Sequence, residues 1–146
     1  MGSGPNAADL VNGEIKGCAT NFDKKVVYFG VNWGVERSAM IFAMDPVTAD
    51  RTLISGEDSN NATGLYSKGT GPAFDTILDM GLGKDGFLYV FIDSVPEFTD
   101  LTDKLFGRSI YRVNITTGDR ELWWNDREEA FWGANCAGPN AFLDLY

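Results

Sequence analysis

The chain contains 146 residues, of which 44% are hydrophobic and 13% aromatic, and its formal net charge at pH 7 is −9. This composition is typical of a folded globular protein and excludes a disordered polypeptide. The negative charge opposes binding to nucleic acid or anionic membranes, and no apolar run approaches the roughly 18 residues of a membrane span. Residues 1–6 lack the basic start and apolar run of a secretory signal peptide.

A Gly-Pro segment recurs three times along the chain. It reads Gly2-Ser-Gly-Pro5, then Gly69-Thr-Gly-Pro72, then Cys136-Ala-Gly-Pro139, and successive segments begin 67 positions apart. Internal repetition of this length is typical of propellers, solenoids and other repeat arrays. We therefore divide the chain into a first repeat at 1–68, a second at 69–135 and a partial third at 136–146.

Each full repeat is predicted to form four strands. In the first repeat the strands are expected around 9–15 and at 25–32, 40–44 and 51–54, followed by a polar linker over 56–68. In the second they are expected at 76–82, at 87–93 and in a hairpin over 107–124, where alternating residues flank a turn at 116–119. The two hairpins superpose at a spacing of 69 residues, which pairs Ile41 with Ile110 and Arg51 with Arg120.

These elements predict an all-β protein of two four-stranded antiparallel propeller-type blades plus the first strand of a third. Two blades cannot close a propeller, which usually has about four to eight. The strand predicted within 136–146 would leave backbone donors and acceptors unpaired, so it is a candidate for completing a blade or the sheet of a neighbouring molecule. Repeating that contact builds a closed ring or an open array, and we expect the open array.

The order of these motifs resembles NHL-like β-propeller repeats. In the second repeat the matching residues are Gly69 to Pro72, Asp85 to Val90, Asp93, Ile110 to Val113 and Thr117 to Arg120. In the first repeat they are Ile41, Asp45-Pro46, Thr48, Arg51 to Leu53 and Ser55-Gly56. The resemblance implies a propeller fold, and its enzymatic members use carboxylates or histidine with a divalent metal. This chain departs from that pattern in its longer repeat, in an inserted loop at 94–106 and in having no histidine.

The sequence offers little for catalysis. Because it has no histidine, it lacks the commonest general base near neutral pH, and we assign no catalytic residue. Calcium is the one cofactor with candidate oxygen ligands, at Asp58, Asp100 and Asp103, although these residues match no specific calcium loop and are more typical of solvated loops. Arg51 and Arg120 each follow an aspartate at a turn, which predicts a local ion pair across each hairpin.

Two cysteines and two glycosylation sequons bear on the compartment. Cys18 and Cys136 form either two unrelated buried thiols or a long-range disulfide, and the disulfide would indicate an oxidising compartment. The sequons begin at Asn61 and Asn114, each beside turn-like sequence where a glycan would be accessible. We expect a secreted, glycosylated protein.

Four tryptophans suggest a second kind of ligand. Trp33, Trp123, Trp124 and Trp132 are either sugar-stacking platforms or large side chains that fill the space between blades. Trp123 and Trp124 are adjacent on a predicted strand, so their side chains are expected on opposite faces.

The sequence therefore predicts a non-catalytic extracellular structural module that packs head to tail with copies of itself. Two alternatives remain at this point. One is a carbohydrate-binding propeller lectin, and the other is a fragment of a metal-dependent propeller hydrolase or lyase.

Overall fold

A computed structural model describes residues 13–32, 39–57, 67–94 and 107–125. Within these ranges all regular structure is β, and the nine strands form two antiparallel sheets without a helix. The predicted all-β class is therefore confirmed for the described residues. Two sheets do not by themselves make a propeller, so the propeller arrangement is not established by the fold.

Sheet 1 contains five strands in the order β1-β2-β3-β4-β5. Their bounds are Glu14–Asn21, Val26–Asn32, Met40–Met44, Arg51–Glu57 and Ser67–Lys68. Sheet 2 contains four strands in the order β6-β7-β8-β9. Their bounds are Thr76–Leu82, Phe87–Ser94, Gly107–Asn114 and Arg120–Asn125.

Two strands of sheet 1 differ from the predicted ones. β1 runs over Glu14–Asn21, beyond the predicted 9–15, because its alternation is interrupted by a bulge between Lys16 and Cys18. β5 was predicted as part of a linker, yet Ser67 and Lys68 pair with Glu57 and Gly56 at the end of β4. Sheet 1 therefore has a fifth strand where four were expected.

The two hairpins have the same backbone hydrogen bonds at the 69-residue spacing. In the first, Asp45 N–H donates to the Asp50 carbonyl at 3.0 Å, and in the second Asn114 N–H donates to the Asp119 carbonyl at 3.0 Å. The side-chain Oδ1 of Asp45 accepts the N–H of Val47 at 2.7 Å, just as Oδ1 of Asn114 accepts that of Thr116 at 2.9 Å. Because aspartate and asparagine side chains can both accept these N–H groups in an Asx turn, the two turns have the same geometry although their residues differ.

The main core lies between the two sheets. One face of sheet 1 packs against one face of sheet 2, and we call this contact the junction. Its buried members from sheet 1 and from the segment before β3 are Ala19, Tyr28, Ala39, Ile41 and Ile54. Those from sheet 2 and the segment before it are Phe74, Ile77, Met80, Leu88, Val90, Ile92 and Val113. Burial of these side chains is the principal apolar stabilisation of the sheet pair.

Two glycines allow the sheets to approach closely at the junction. Gly17 lies in the β1 bulge with φ +62°, and a Cβ there would lie 2.7 Å from the Asp79 Cα. A Cβ on Gly30 would lie 2.7 Å from the Lys16 carbonyl oxygen and 2.9 Å from the Ile77 Cγ2. Since real Cβ contacts are longer, any larger residue at these positions would push β1 and β6 apart.

A smaller cluster covers the opposite face of sheet 1. Phe29, Val31, Met40 and Phe42 are buried there, with Met44 and Leu53 packed against them. The Phe29 and Phe42 rings stack with their centroids 5.8 Å apart. We call this the outer face of sheet 1, because it points away from the junction.

Candidate assembly surface

Asn32 provides the buried polar contact between the strands of the junction. Its Nδ2 donates to the Ile77 carbonyl at 2.9 Å, and its Oδ1 accepts the Ile77 N–H at 3.1 Å. One amide side chain therefore satisfies both backbone groups of a residue in the other sheet, which a carboxylate cannot do. This pairing fixes the register of β2 against β6.

A second polar device holds the segment Gly69–Phe74, and we call it the Gly-Pro clamp. Arg120 donates from Nε to the Pro72 carbonyl at 2.7 Å and from Nη2 to the Gly71 carbonyl at 3.1 Å. Its Nη1 donates to the Lys68 carbonyl and to the Ser55 hydroxyl, both at 3.1 Å. The local ion pair predicted for Arg120 is therefore wrong, because its guanidinium binds carbonyl groups of a distant segment.

Further hydrogen bonds around the clamp connect sheet 1 with the segments that lead into the strands of sheet 2. Ser55 in β4 donates its hydroxyl hydrogen to the Gly118 carbonyl at 2.6 Å. Ala39 N–H donates to the Phe74 carbonyl at 3.0 Å, and Phe74 is fully buried. The Arg120 guanidinium also lies 5.3 Å from the Phe74 ring centroid, at cation–π distance.

Electrostatics at the clamp follow from burial and hydrogen bonding. Arg120 is only 6% exposed, and this burial lowers the pKa of its guanidinium, although arginine stays charged at any ordinary pH. Asp119 is exposed, and hydrogen bonds with Thr117 and then with Thr70 lower the pKa of its carboxyl. Its Oδ1 accepts the Thr70 N–H at 2.7 Å and the Thr70 hydroxyl at 2.8 Å.

The face of sheet 2 that points away from the junction is aromatic and partly exposed. We call it the aromatic face. The β7 and β9 side chains that line it are half-buried: Phe87, Tyr89, Phe91, Trp123 and Trp124. When the strands of sheet 2 are aligned in sequence with those of sheet 1, Tyr89 corresponds to Tyr28, Phe91 to Gly30 and Trp123 to Ile54. Tyr28 and Ile54 are buried in the junction, whereas Tyr89 and Trp123 remain accessible.

A β-bulge places both tryptophans of β9 on this face. Ile110 pairs with Trp124 and Tyr111 pairs with Leu122, so Trp123 is the extra residue. The Trp123 ring meets the Tyr89 ring edge-on at 5.2 Å, and Trp124 lies opposite Ile110 in the same ladder. The expectation that the two tryptophans point to opposite faces is therefore wrong, since a bulge interrupts the alternation.

Charged groups surround the aromatic face. The Tyr89 hydroxyl donates to Asp85 Oδ2 at 2.9 Å. The pKa of Tyr89 is raised, mainly by burial and secondly by this hydrogen bond. Arg112 forms an ion pair with Glu121, and its guanidinium lies 4.5 Å from the Phe87 ring centroid. Aromatic rings with polar groups at their edges are typical of protein interfaces and of sugar-binding surfaces.

The structure places some of the predicted site residues. Cys18 is an exposed cysteine of β1 and not a buried thiol, while Cys136 lies outside the described residues. Asn114 is described, and its Oδ1 accepts the N–H groups of Thr116 and Thr117, so these bonds do not use the amide nitrogen. The others lie outside the described ranges: Trp33, Asn61, Asp58, Asp100, Asp103 and Trp132.

Within residues 13–32, 39–57, 67–94 and 107–125, no group of three or more acidic, cysteine or histidine side chains is arranged to hold a metal ion. The same ranges contain no helix long and apolar enough to cross a membrane.

Comparisons with protein-family models, with curated proteins and with solved structures find no match for this chain.

Neither the junction role of Asn32 nor the clamp role of Arg120 was predicted from the sequence. The signal for the clamp was present, because a Gly-x-Gly-Pro segment and a hairpin arginine occur together in both repeats. Asn32 had no such signal, because its counterpart in the second repeat is Asp93.

Proposed function

We propose that this protein is a non-catalytic structural module that associates head to tail with copies of itself. The observation that carries the proposal is the aromatic face of sheet 2. It corresponds to the face of sheet 1 that is buried in the junction, and it retains large, partly exposed aromatic side chains. A sheet face built for packing on a second sheet is best satisfied by another copy of the same unit.

Contacts between copies would differ in detail from the internal junction. Gly30 admits Ile77 closely, whereas its counterpart on the aromatic face is the bulky Phe91. The junction residue Asn32 is likewise replaced by Asp93. An intermolecular contact is therefore wider than the internal one and filled by aromatic rings, a composition typical of interfaces between separate molecules.

The propeller arrangement, secretion and glycosylation belong to the same proposal. The motif order and the shared hairpin geometry support propeller-type blades, and the sequons at Asn61 and Asn114 support an extracellular location. Deglycosylation of protein secreted from eukaryotic cells, followed by mass spectrometry, would detect glycans on these residues. If both asparagines were unmodified in all of the secreted protein, the glycosylation proposal would be contradicted.

The test of association is a charge placed on the aromatic face. Phe91→Glu puts a carboxylate where apolar contact with another copy is proposed, so the native mass of the variant should stay at that of one chain. Phe22→Glu is the matched control, because Phe22 is 85% exposed in the turn between β1 and β2. Equal association of both variants and the unmodified chain would refute the use of this face.

Carbohydrate binding by the same face is a second candidate. The edge-on pair of Tyr89 and Trp123 beside the Arg112–Glu121 ion pair favours it, because sugars need an aromatic surface and polar groups at its rim. Titration with oligosaccharides should then quench tryptophan fluorescence at a concentration where the chain is monomeric. If no oligosaccharide changed the tryptophan fluorescence and the chain self-associated, only the structural function would be supported.

A further inference from the structure

Asn114 lies at the rim of the aromatic face. It pairs with Phe87 in the β7–β8 ladder, two residues beyond the pair of Tyr89 and Arg112. Directly paired residues point to the same face of a sheet, with Cβ atoms about 5 Å apart. The Arg112 guanidinium lies 4.5 Å from the Phe87 ring centroid, as expected for side chains on one face. A group attached to Asn114 therefore lies beside Phe87.

The turn after β8 leaves the amide nitrogen of Asn114 outside its own hydrogen bonds. Oδ1 of Asn114 accepts the N–H of Thr116 at 2.9 Å and that of Thr117 at 3.2 Å. An N-linked glycan is carried by Nδ2, which takes no part in either bond. Asn114 is half-buried, and both threonines are exposed. The sequon is thus accessible on a tight turn whose Asx bonds fix the direction of its asparagine.

The corresponding turn of sheet 1 carries no sequon. It reads Asp45-Pro46-Val47, in which aspartate has no amide nitrogen and proline stands at the middle position. This turn borders the face of sheet 1 that is buried in the junction, because Ala43, two residues before Asp45, packs against the junction core. Of the two turns, only the one beside the partly exposed aromatic face has a glycan acceptor.

We infer that a glycan on Asn114 covers the edge of the aromatic face and prevents that face from associating with a second copy. The inference rests on the proposed association through this face and adds its regulation. An N-linked oligosaccharide is bulky and hydrated, so packing a second molecule against Phe87 would bury sugar hydroxyls without hydrogen-bond partners. Chains with a glycan on Asn114 therefore stay single, and chains with an unmodified Asn114 assemble.

The modification is a group transfer with a donor supplied by the secretory pathway. Nδ2 of Asn114 attacks the anomeric carbon of an oligosaccharide carried on a lipid diphosphate. A carbon–nitrogen bond forms, the bond from the anomeric carbon to the diphosphate oxygen breaks, and the lipid diphosphate leaves. The amide nitrogen loses one proton and no group is oxidised or reduced.

The test compares secreted chains that carry one sequon each. Thr116→Val removes the sequon of Asn114 but keeps the Asx turn, because the turn uses only the backbone N–H of Thr116. Thr63→Ala removes the sequon of Asn61 and is the matched control, since its chain keeps the sequon of Asn114. Mass spectrometry measures the occupancy of each sequon, and sedimentation velocity measures association. Thr116→Val should associate at concentrations at least about tenfold lower than Thr63→Ala.

Enzymatic removal of the glycan repeats the comparison on a single preparation. An amidase that hydrolyses the glycosylated side-chain amide releases the sugar with its nitrogen and leaves aspartate, the product equivalent to Asn114→Asp. Aspartate forms the same turn in sheet 1, where Asp45 Oδ1 accepts the Val47 N–H at 2.7 Å. The treated Thr63→Ala chain should therefore remain folded and begin to associate.

The outcomes separate this inference from the proposed assembly. Association that is equally strong with and without a glycan on Asn114 would overturn the inference and leave assembly through the aromatic face standing. An unmodified Asn114 in all of the secreted Thr63→Ala protein would also overturn it. If no chain associated, including chains made without any glycan, the proposed assembly and the inference would both be refuted. Association confined to chains that lack the Asn114 glycan would support both.

Discussion

Replacing Arg120 by alanine should be the most destabilising substitution among the arginines of the described residues. Arg120 is 6% exposed and donates to three carbonyls and one hydroxyl. Loss of one hydrogen bond from a charged donor costs about 1.5–3 kcal/mol, and the acceptors left behind are poorly solvated. Removing a buried charge recovers part of its desolvation cost, so these values do not add. We expect the free energy of unfolding to fall by about 3–4 kcal/mol.

Urea unfolding followed by tryptophan fluorescence measures this change from the midpoint at constant slope. Arg112→Ala is the matched control, because Arg112 lies on the same sheet in a solvent-exposed ion pair with Glu121 and should cost less than about 1 kcal/mol. Arg120→Lys should recover less than half of the lost stability, since lysine cannot reach several carbonyls at once. Equal losses for Arg120→Ala and Arg112→Ala would refute the clamp.

Three further substitutions, one of them with a matched control, probe the junction and the clamp. Gly30→Ala should lower the free energy of unfolding by about 1–3 kcal/mol. Gly81→Ala is its control, because open space surrounds the Gly81 Cβ position, and it should be neutral or stabilising by up to about 1 kcal/mol. Equal urea midpoints for the two variants would contradict the close approach of the sheets. Asn32→Asp buries a carboxylate beside a carbonyl, which raises the pKa of that carboxyl in the folded state. The variant's loss of folding stability should therefore be small below about pH 3.9 and should grow as the pH rises through the folded-state pKa. A loss that does not depend on pH would contradict this prediction. The lowered pKa of Asp119 contributes stability that is present above about pH 3.9 and is lost as the pH falls through the folded-state pKa, so Asp119→Asn should flatten the urea midpoint between pH 5 and pH 3. An unchanged acid profile in that variant would exclude Asp119 from the acid sensitivity.

The hairpins were predictable because their signals are local. The turn at 116–119 combines a glycine with side chains that bond neighbouring N–H groups, and β6 was predicted at its observed bounds of Thr76–Leu82. The strands alternate over enough residues to define which ones pair. A short-range code of this kind does not depend on the rest of the molecule.

The features that were not predicted depend on contacts between distant residues. The side-chain direction of Trp123 changes with a bulge, whose position is a property of the paired strands and not of either sequence alone. β5 has two residues and exists only because β4 offers them partners. Arg120 resembles an exposed hairpin residue until the segment at 68–72 is placed against it. Repeat spacing is the sequence feature that relates such distant groups.

Sedimentation velocity across a wide range of chain concentration, with electron microscopy of the same samples, tests the proposed head-to-tail assembly. We expect a mass that grows with concentration in steps of the 16.0 kDa chain, and elongated particles in the micrographs. The net charge of −9 makes the copies repel one another, so association should strengthen between low and physiological salt. A mass of one chain at every concentration of protein and salt would refute head-to-tail assembly.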